Sequence, residues 1–422
     1  MKDETKCLHA GYTPGNAQPR VLPIVQSTTY VYDSTEEVAS VFDEPTKSLI
    51  YSRFANPTVM AVEAKIAALE GGVGAMCTSS GQAATLLSIL NLCGAGDSFV
   101  STTAIYGGTV NLFSVTLKRL GIECIYVDQD ADEDTIHAAL RPNTKAVFGE
   151  TLANPTLKVL EIEKFARIAQ AHNVPLIVDN TFATPILCRP IEYGADIVVH
   201  STSKYMDGHA VQVGGVIVDS GNFDWTRGDF PDITGPDPSY HGISYSETYG
   251  KAAYIVKARM QLMRDFGVYP AAHSAFLLNL GLETLAVRMR QHCENAMVVS
   301  KYLTASDCVE KVIYPGLPED ENYALAQKYL GGASGVISFN VKGGREGAMR
   351  FMNALALASN QVHVADIRTC VLHPASETHR QLTEEQLKAA GIHPGMVRLS
   401  VGLEHVDDIL RDLDAGFSAA RH

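Results

Sequence analysis

Residues 175–182 read PLIVDNTF, and residues 195–209 read ADIVVHSTSKYMDGH. Each contains a short unbroken run of aliphatic residues, 176–178 and 197–199, and each run leads into groups able to do chemistry: Asp179 in the first, Ser201, Ser203 and Lys204 in the second. A strand that is apolar on consecutive rather than alternate positions is covered on both faces, the condition of a parallel sheet lying between helices. With strands expected at 176–179 and 197–200, similar runs at 74–78, 98–101, 124–127, 146–150 and 215–219 bring the candidate strands to seven. Stretches at 58–71, 109–120, 132–140 and 162–172 carry helical apolar spacing and separate several of them. Short strands alternating with helices predict an α/β fold on a mostly parallel seven-stranded sheet flanked by helices. In such sheets ligands gather at the carboxyl ends of the strands.

The flanking segments read differently. Residues 1–60 are rich in turn formers and aromatics (Gly11, Pro14, Gly15, Pro19, Pro23, Tyr30, Tyr32, Tyr51, Phe54) and are expected to form an arm contacting a neighbouring subunit. Residues 61–250 make the α/β domain, including an insertion loop at 220–242, SGNFDWTRGDFPDITGPDPSYHG, which holds the only tryptophan. Loops this long inside a compact domain are functional or disordered. Residues 251–422 read as an α+β C-terminal domain. It is helical to about 303, with 275–290 as one helix, and then mixes strands at 336–341 and 397–401 with helices at 347–358 and 407–419.

Composition narrows the class. The 422 residues are 46% hydrophobic and 19% charged, a globular balance that excludes a disordered chain. Asp plus Glu outnumber Lys plus Arg by 47 to 34, and a net charge of −13 argues against nucleic-acid binding. No apolar stretch is long enough to cross a bilayer, and the opening MKDETKCLHAGYTPG lacks the apolar core of a secretory signal. The eight cysteines are scattered without a CxxC pair, so buried thiols in a reducing cytoplasm are expected. No P-loop, nucleophile elbow or HExxH occurs, and His373 and His379 stand six apart, an unusual ligand spacing, so no metal is expected.

Three segments end strands with chemistry. In CTSSGQAATLLSIL (77–90) a small-residue turn opens a helix, offering free backbone N–H groups to a phosphate, although such turns also serve only as caps. Asp179 ends an apolar strand and either faces the site or caps the next helix. Lys204, held near the sheet edge, can lose its proton and act as an amine nucleophile. Taken together, a phosphate cradle, a buried acid and a lysine 25 residues beyond it meet the needs of pyridoxal 5′-phosphate.

The motifs YSRFANPT (51–58), SSGQAA (79–84), YGGT (106–109), ETLANP (150–155), VDNTFATP (178–185), HSTSKY (200–205), HPAS (373–376) and RLSVGLE (398–404) follow in order along almost the whole chain. In these motifs the sequence closely resembles the cysteine/methionine-metabolism family of fold-type I pyridoxal-phosphate enzymes. The resemblance implies that Lys204 carries the cofactor as a Schiff base and shuttles protons, that Asp179 pairs with the pyridine nitrogen, and that Tyr106 stacks on the ring and serves in acid/base steps. It also implies that the phosphate sits on the Gly81 and Gln82 amides and the Ser201 and Ser203 hydroxyls, with Asn154 near the phenolic oxygen. Arg398 would clamp the substrate carboxylate. Tyr51 and Arg53 would reach the neighbouring subunit's cofactor, and Tyr51, Asn154 and His363 would border the substrate. A homo-oligomer is implied, at least a dimer and by analogy with relatives a tetramer.

Within the family, the 221–267 segment and FLLNLGLETLAVRM (276–289) resemble the sulfhydrylase subgroup. The expected reaction is γ-replacement on O-acetyl-L-homoserine by sulfide or a thiol, giving homocysteine and acetate. Methionine or cystathionine γ-lyase and cystathionine γ-synthase are the alternatives on the same scaffold; Gly108 in YGGT, where γ-lyases of methionine carry a cysteine, lowers the first. One departure stands out. VHVADIRT (362–369) replaces the ANIGDARS of many sulfhydrylases, setting His363 and Ala365 where those have Asn and Gly. The ring of His363 is either a neutral packing group or a titrating group beside the cofactor.

Overall fold

The computed structural model describes residues 1–43, 49–377, 380, 387 and 391–421. Its larger sheet has seven strands: β1 (Gly74–Thr78), β2 (Ser98–Thr102), β3 (Glu123–Val127), β4 (Thr144–Glu150), β5 (Leu176–Asp179), β6 (Ile197–Ser201) and β7 (Gly215–Asp219). Their spatial order is β1-β7-β6-β5-β4-β2-β3, and β7 alone runs antiparallel to its neighbours. Neighbouring residues in a strand point to opposite faces. Accordingly Val178, Val198, Val216 and Val218 enter one core, while Ile177, Ile197, Val199 and Ile217 enter the other. The helices Pro57–Glu70, Ile162–Ala171 and Ala272–Glu283 cover the first face, and Gly81–Leu90 with the segment Leu112–Leu117 covers the second. Both faces are dry, which is why the strands lack alternation in sequence.

A second sheet has five strands: β8 (Val309–Ile313), β9 (Val336–Val341), β10 (Ser359–Asn360), β11 (Cys370–Leu372) and β12 (Met396–Ser400), in the order β10-β11-β12-β9-β8. The helices Leu285–Thr304, Gly344–Asn353 and Val406–Ala420 pack on it through Val299, Phe351, Leu413 and Phe417. The short β8, β10 and β11 were not expected from the sequence. β8 is only partly buried and charged, and β10 is two residues long.

Several expectations need correcting. The helical run expected over 275–290 is two helices broken at Thr284. There the buried Arg288 guanidinium donates to Thr284 Oγ1 (3.1 Å) and to the Gly281 carbonyl (2.6 Å), which the Thr284 amide also reaches (3.3 Å), so the helix end is closed from both sides. The helix expected over 109–120 begins earlier, at Gly107, and widens into a π-helix at Leu112–Leu117; the Tyr126 hydroxyl donates to the Val110 carbonyl (3.3 Å) just before the widening. The first residues are not purely an arm for another subunit. The helix Asp3–His9 buries Cys7 in the core of its own chain, and Asp3 pairs with Arg189. Nor does the core divide at 250, since Tyr254, Ile255, Ala258, Met260 and Met263 pack on the seven-stranded sheet.

The 220–242 segment, polar in sequence, is folded onto that same region. Trp225, 4% exposed, stacks on Tyr254 with ring centres 5.5 Å apart and planes 6° apart, and Phe230 and Ile233 enter the same core. Truncation Trp225→Ala is expected to cost about 3–5 kcal/mol of unfolding free energy, as for other large buried aromatics. A urea titration reads it, and a loss below about 1 kcal/mol would show that the segment is not part of the core.

Candidate functional site

At the end of β1 the chain passes through Ser79 and Ser80 into the helix Gly81–Leu90. Ser80 caps it by accepting from the Ala83 amide (3.1 Å). The amides of Gly81 and Gln82 have no hydrogen-bond partner among the described residues, and neither does the buried Oε1 of Gln82. A methyl group on Gly81 would lie 2.6 Å from Ser201 Cβ and 2.8 Å from its Cα. Glycine is therefore what allows this turn to lie against the exit of β6. The result is a helix N-terminus with free donors, positive dipole end outward, beside the Ser201 hydroxyl.

β4, β5 and β6 end side by side. Asp179 Oδ1 accepts from the Thr181 amide (2.9 Å) and hydroxyl (2.5 Å), and Thr181 Oγ1 accepts from the Ser201 amide (2.9 Å), which ties the two strand ends together. Asp179 is therefore bonded to the turn that follows it and does not cap the next helix. Glu150, in register with Asp179 across β4 and β5, accepts from the Tyr106 amide (2.6 Å). Burial pushes both carboxyl groups up, and Asp179 beside it pushes Glu150 further. Behind Asp179, His200 bonds the fully buried Glu70 (2.6 Å).

Lys204 sits in the turn after β6. The buried Arg288 grips that turn by donating to the carbonyls of Tyr205 (2.8 Å) and Met206 (3.4 Å). Gly281 allows the approach, because a methyl there would lie 2.4 Å from the Asp207 carbonyl. Burial and the Arg398 cation bring Lys204 down to about 8. Arg398, on β12, donates from Nη1 to Asn154 Oδ1 (3.2 Å) and from Nη2 to the carbonyls of Val362 and His363 (3.2 Å each). These bonds set the plane of the guanidinium and leave one N–H on Nε and one on Nη1, pointing to different sides, without a partner among the described residues. His363 Nδ1 lies 3.3 Å from Lys204 Nζ.

All of this opens into one cavity of about 690 Å³. Of the residues singled out in the sequence, Gly81, Gln82, Tyr106, Asn154, Asp179, Ser201, Ser203, Lys204, His363 and Arg398 line it. The Ser203 hydroxyl is already bonded to the Gly214 backbone (3.0 and 3.3 Å), which leaves Ser201 the freer of the two. Tyr51 and Arg53 do not reach this cavity; Arg53 bonds the Arg264 carbonyl and stands over the Tyr51 ring, 5.4 Å from its centre. Gly108 matters for Tyr106, since a methyl there would lie 2.5 Å from the phenol ring. Sequence reading missed Glu150 and Thr181 as site residues, although Glu150 ends its strand as Asp179 does. His379 lies outside the described residues, and among those residues no cluster able to hold a metal ion occurs.

The donor set fits pyridoxal 5′-phosphate: an anion cradle at one end, a buried acid that gains by facing a protonated ring nitrogen, and an amine with a lowered proton affinity between them. Gly81→Ala should weaken equilibrium binding of that cofactor about tenfold or more while the fold persists, because the clash is with backbone and must displace the cradle; unchanged binding would remove the cradle from the site. In the cofactor-free chain, labelling of Lys204 by an amine reagent should reach half its maximal rate near pH 8. An ordinary lysine titrates at about 10.4, and a midpoint there would contradict the burial of the amine.

Comparison with known proteins agrees with this geometry. Residues 4–418 match the family described as Cys/Met metabolism PLP-dependent enzyme. The chain is 45% identical to O-acetyl-L-homoserine sulfhydrylase of Corynebacterium glutamicum (99% of this chain, 97% of that protein). It is 43% identical to the enzyme of the same name from Leptospira meyeri (98% and 96%). A crystal structure described as an O-acetylhomoserine (thiol)-lyase from Campylobacter jejuni, carrying N′-pyridoxyl-lysine-5′-monophosphate, superposes with a TM-score of 0.95 at 36% identity, covering 99% of this chain and all of that one. With a family match over nearly its whole length and a lysine, an acid and an anion cradle in one cavity, the chain belongs to the Cys/Met metabolism PLP-dependent enzyme family.

Proposed function

We propose that this enzyme catalyses γ-replacement on O-acetyl-L-homoserine: the Cγ–O bond breaks, acetate leaves, a Cγ–S bond forms with hydrosulfide, and L-homocysteine results. The observation that carries the reading is the convergence of Lys204, Asp179 and Arg398 on one cavity beside the Gly81 cradle. Relatives named O-acetyl-L-homoserine sulfhydrylase and homocysteine synthase, 43–45% identical over nearly the full length, support the choice of substrate.

Pyridoxal 5′-phosphate, held covalently at Lys204, supplies an electron sink that makes the Cα proton of a bound amino acid acidic. The protein's own residues do the rest. Arg398, its plane fixed by Asn154 and the 362–363 carbonyls, offers its cation and remaining N–H groups to the substrate carboxylate. Lys204, neutral over much of the range around pH 8, takes the Cα proton and later returns it. Asp179 keeps the ring nitrogen protonated, and Tyr106, anchored through its amide by Glu150, presents its phenol to the reacting side chain. The Gly81 and Gln82 amides with Ser201 take the phosphate. His363 borders the amino-acid side of the cavity, together with Asn154.

The reading includes a homo-oligomer. Tyr51, 39% exposed, and the half-buried Arg53 lie outside their own cavity, a placement that suits contact with a second copy's cofactor. A dimer would satisfy this, and a tetramer two such dimers. No helix among the described residues is long and apolar enough to cross a membrane. Eight free cysteines suit a reducing, cytoplasmic setting.

The test compares substrates on purified, cofactor-loaded protein. Homocysteine formed only from O-acetylhomoserine plus sulfide is expected, with little 2-oxobutyrate from methionine or cystathionine alone; the reverse pattern would make the enzyme a γ-lyase. Lys204→Ala should lose turnover and the visible absorbance of covalently held cofactor, and normal turnover in that variant would end the assignment.

A further inference from the structure

His363 stands in a loop that is held from several sides. Its carbonyl accepts from Arg398 Nη2 (3.2 Å) and from the Cys370 thiol (3.5 Å). Two residues on, the Ala365 amide donates to Ser400 Oγ (2.8 Å) with a φ of +67°, a conformation costly for any residue with a side chain. A loop pinned in this way presents its ring in a fixed place. The ring's Nδ1 is 3.3 Å from Lys204 Nζ, and among the described residues it is the only hydrogen-bond partner of that amine.

The groups facing the pair are Arg398 on β12, Cys370 on β11 and Asp366 in the loop itself. Burial first, then the Lys204 and Arg398 cations, bring His363 down to about 4 against the opposing pull of Asp366, so the imidazole is neutral near pH 7. A neutral imidazole has one donor and one acceptor nitrogen, and an ammonium can only donate. Facing a protonated Lys204, Nδ1 must therefore accept and the proton must sit on Nε2. That nitrogen is buried without a partner among the described residues.

We propose that His363 is a positioning residue for Lys204: its Nδ1 accepts a hydrogen bond from the Lys204 ammonium and holds that ammonium in place between the taking of a proton and its return. The imidazole itself gains and loses nothing in the step, and the proton moves only on and off Lys204 Nζ. The need for such a partner is physical. Arg398, buried nearby, repels a lysine cation, and among the described residues no carboxylate lies within ion-pair distance of Nζ to offset it. The inference rests on the reading of Lys204 as the proton-carrying amine, not on which family reaction follows.

The test uses the full chain stripped of cofactor and then reloaded. In the stripped form the pH midpoint of Lys204 labelling should fall by about one pH unit or more in His363→Leu, the size expected for losing one hydrogen bond to a charged group. His363→Asn sets an amide oxygen roughly where Nδ1 stands and should restore the midpoint. In the reloaded enzymes, kcat should fall in His363→Leu and recover in His363→Asn, with KM for the amino acid little changed. A labelling midpoint that does not move in His363→Leu, or a loss confined to KM, would overturn the proposal and make His363 a substrate-contacting group. Should the leucine variant fail to fold, nitrogen-15 spectra of the wild-type histidines decide: the Nε2–H tautomer at His363 is expected, and the Nδ1–H tautomer would overturn the proposal. A substrate comparison that revealed a γ-lyase would leave all these outcomes unchanged, so the two readings fail separately.

Discussion

β5 and β6 lie side by side and run the same way, with Ile177, Val178 and Asp179 opposite Ile197, Val198 and Val199. Almost everything in the site depends on that pairing. It brings the carboxylate that ends one strand and the lysine turn that follows the next to the same edge, and the Thr181 hydroxyl locks the two exits together by donating to Asp179 while accepting from Ser201. A parallel pair needs a crossover between its strands, and here the connection passes through the helical turn Thr184–Leu187, whose Leu187 is buried in the same core. Slipping β5 by one residue would exchange the faces to which Val178 and Asp179 point.

Around that pair the chain builds outward by close approach rather than by strong individual bonds. Gly81 lets the cradle lie on Ser201, Gly215 lets β7 pass the Ser80 carbonyl, and Gly281 lets the helix Ala272–Glu283 press on the Lys204 turn. Each is a place where a single methyl group has no room. Arg288 then ties that helix and turn together, donating to the Tyr205 carbonyl of the turn and the Gly281 carbonyl of the helix end. The electrostatics follow from this dryness. Burial raises the Asp179 and Glu150 carboxyls and lowers Lys204, and a cofactor with a cationic ring nitrogen and an anionic phosphate is complementary to both ends.

Much of this was legible in the residues. β1, β5 and β7 have the limits expected from their apolar runs, because a fully buried parallel strand writes itself as a continuous aliphatic stretch. Asp179 and Lys204 were found because they end such stretches. Glu150 does the same but was passed over, since its significance comes from lying in register with Asp179, 29 residues further along the chain. The helix break at Thr284 and the burial of Trp225 were not readable either. The first depends on a guanidinium reaching back to a carbonyl, and the second on a polar-looking segment folding against Tyr254.

By itself the sequence determined the α/β class and the strands of the large sheet, and its family resemblance gave the cofactor chemistry and the residues proposed to carry it. The fold class, the 79–82 turn, Asp179 and Lys204 follow from local patterns: apolar period, small residues at a tight turn, and polar groups at strand ends. Only the tertiary structure decided how groups far apart in the chain share one space. It joined the Asp3–His9 helix to its own core, carried residues 253–263 across the expected boundary, and set Arg398 and His363, from the second sheet and its loop, against Lys204. The reason is that a hydrogen bond spanning 159 residues leaves no periodic trace in a sequence; it exists only after two separately folded layers have packed.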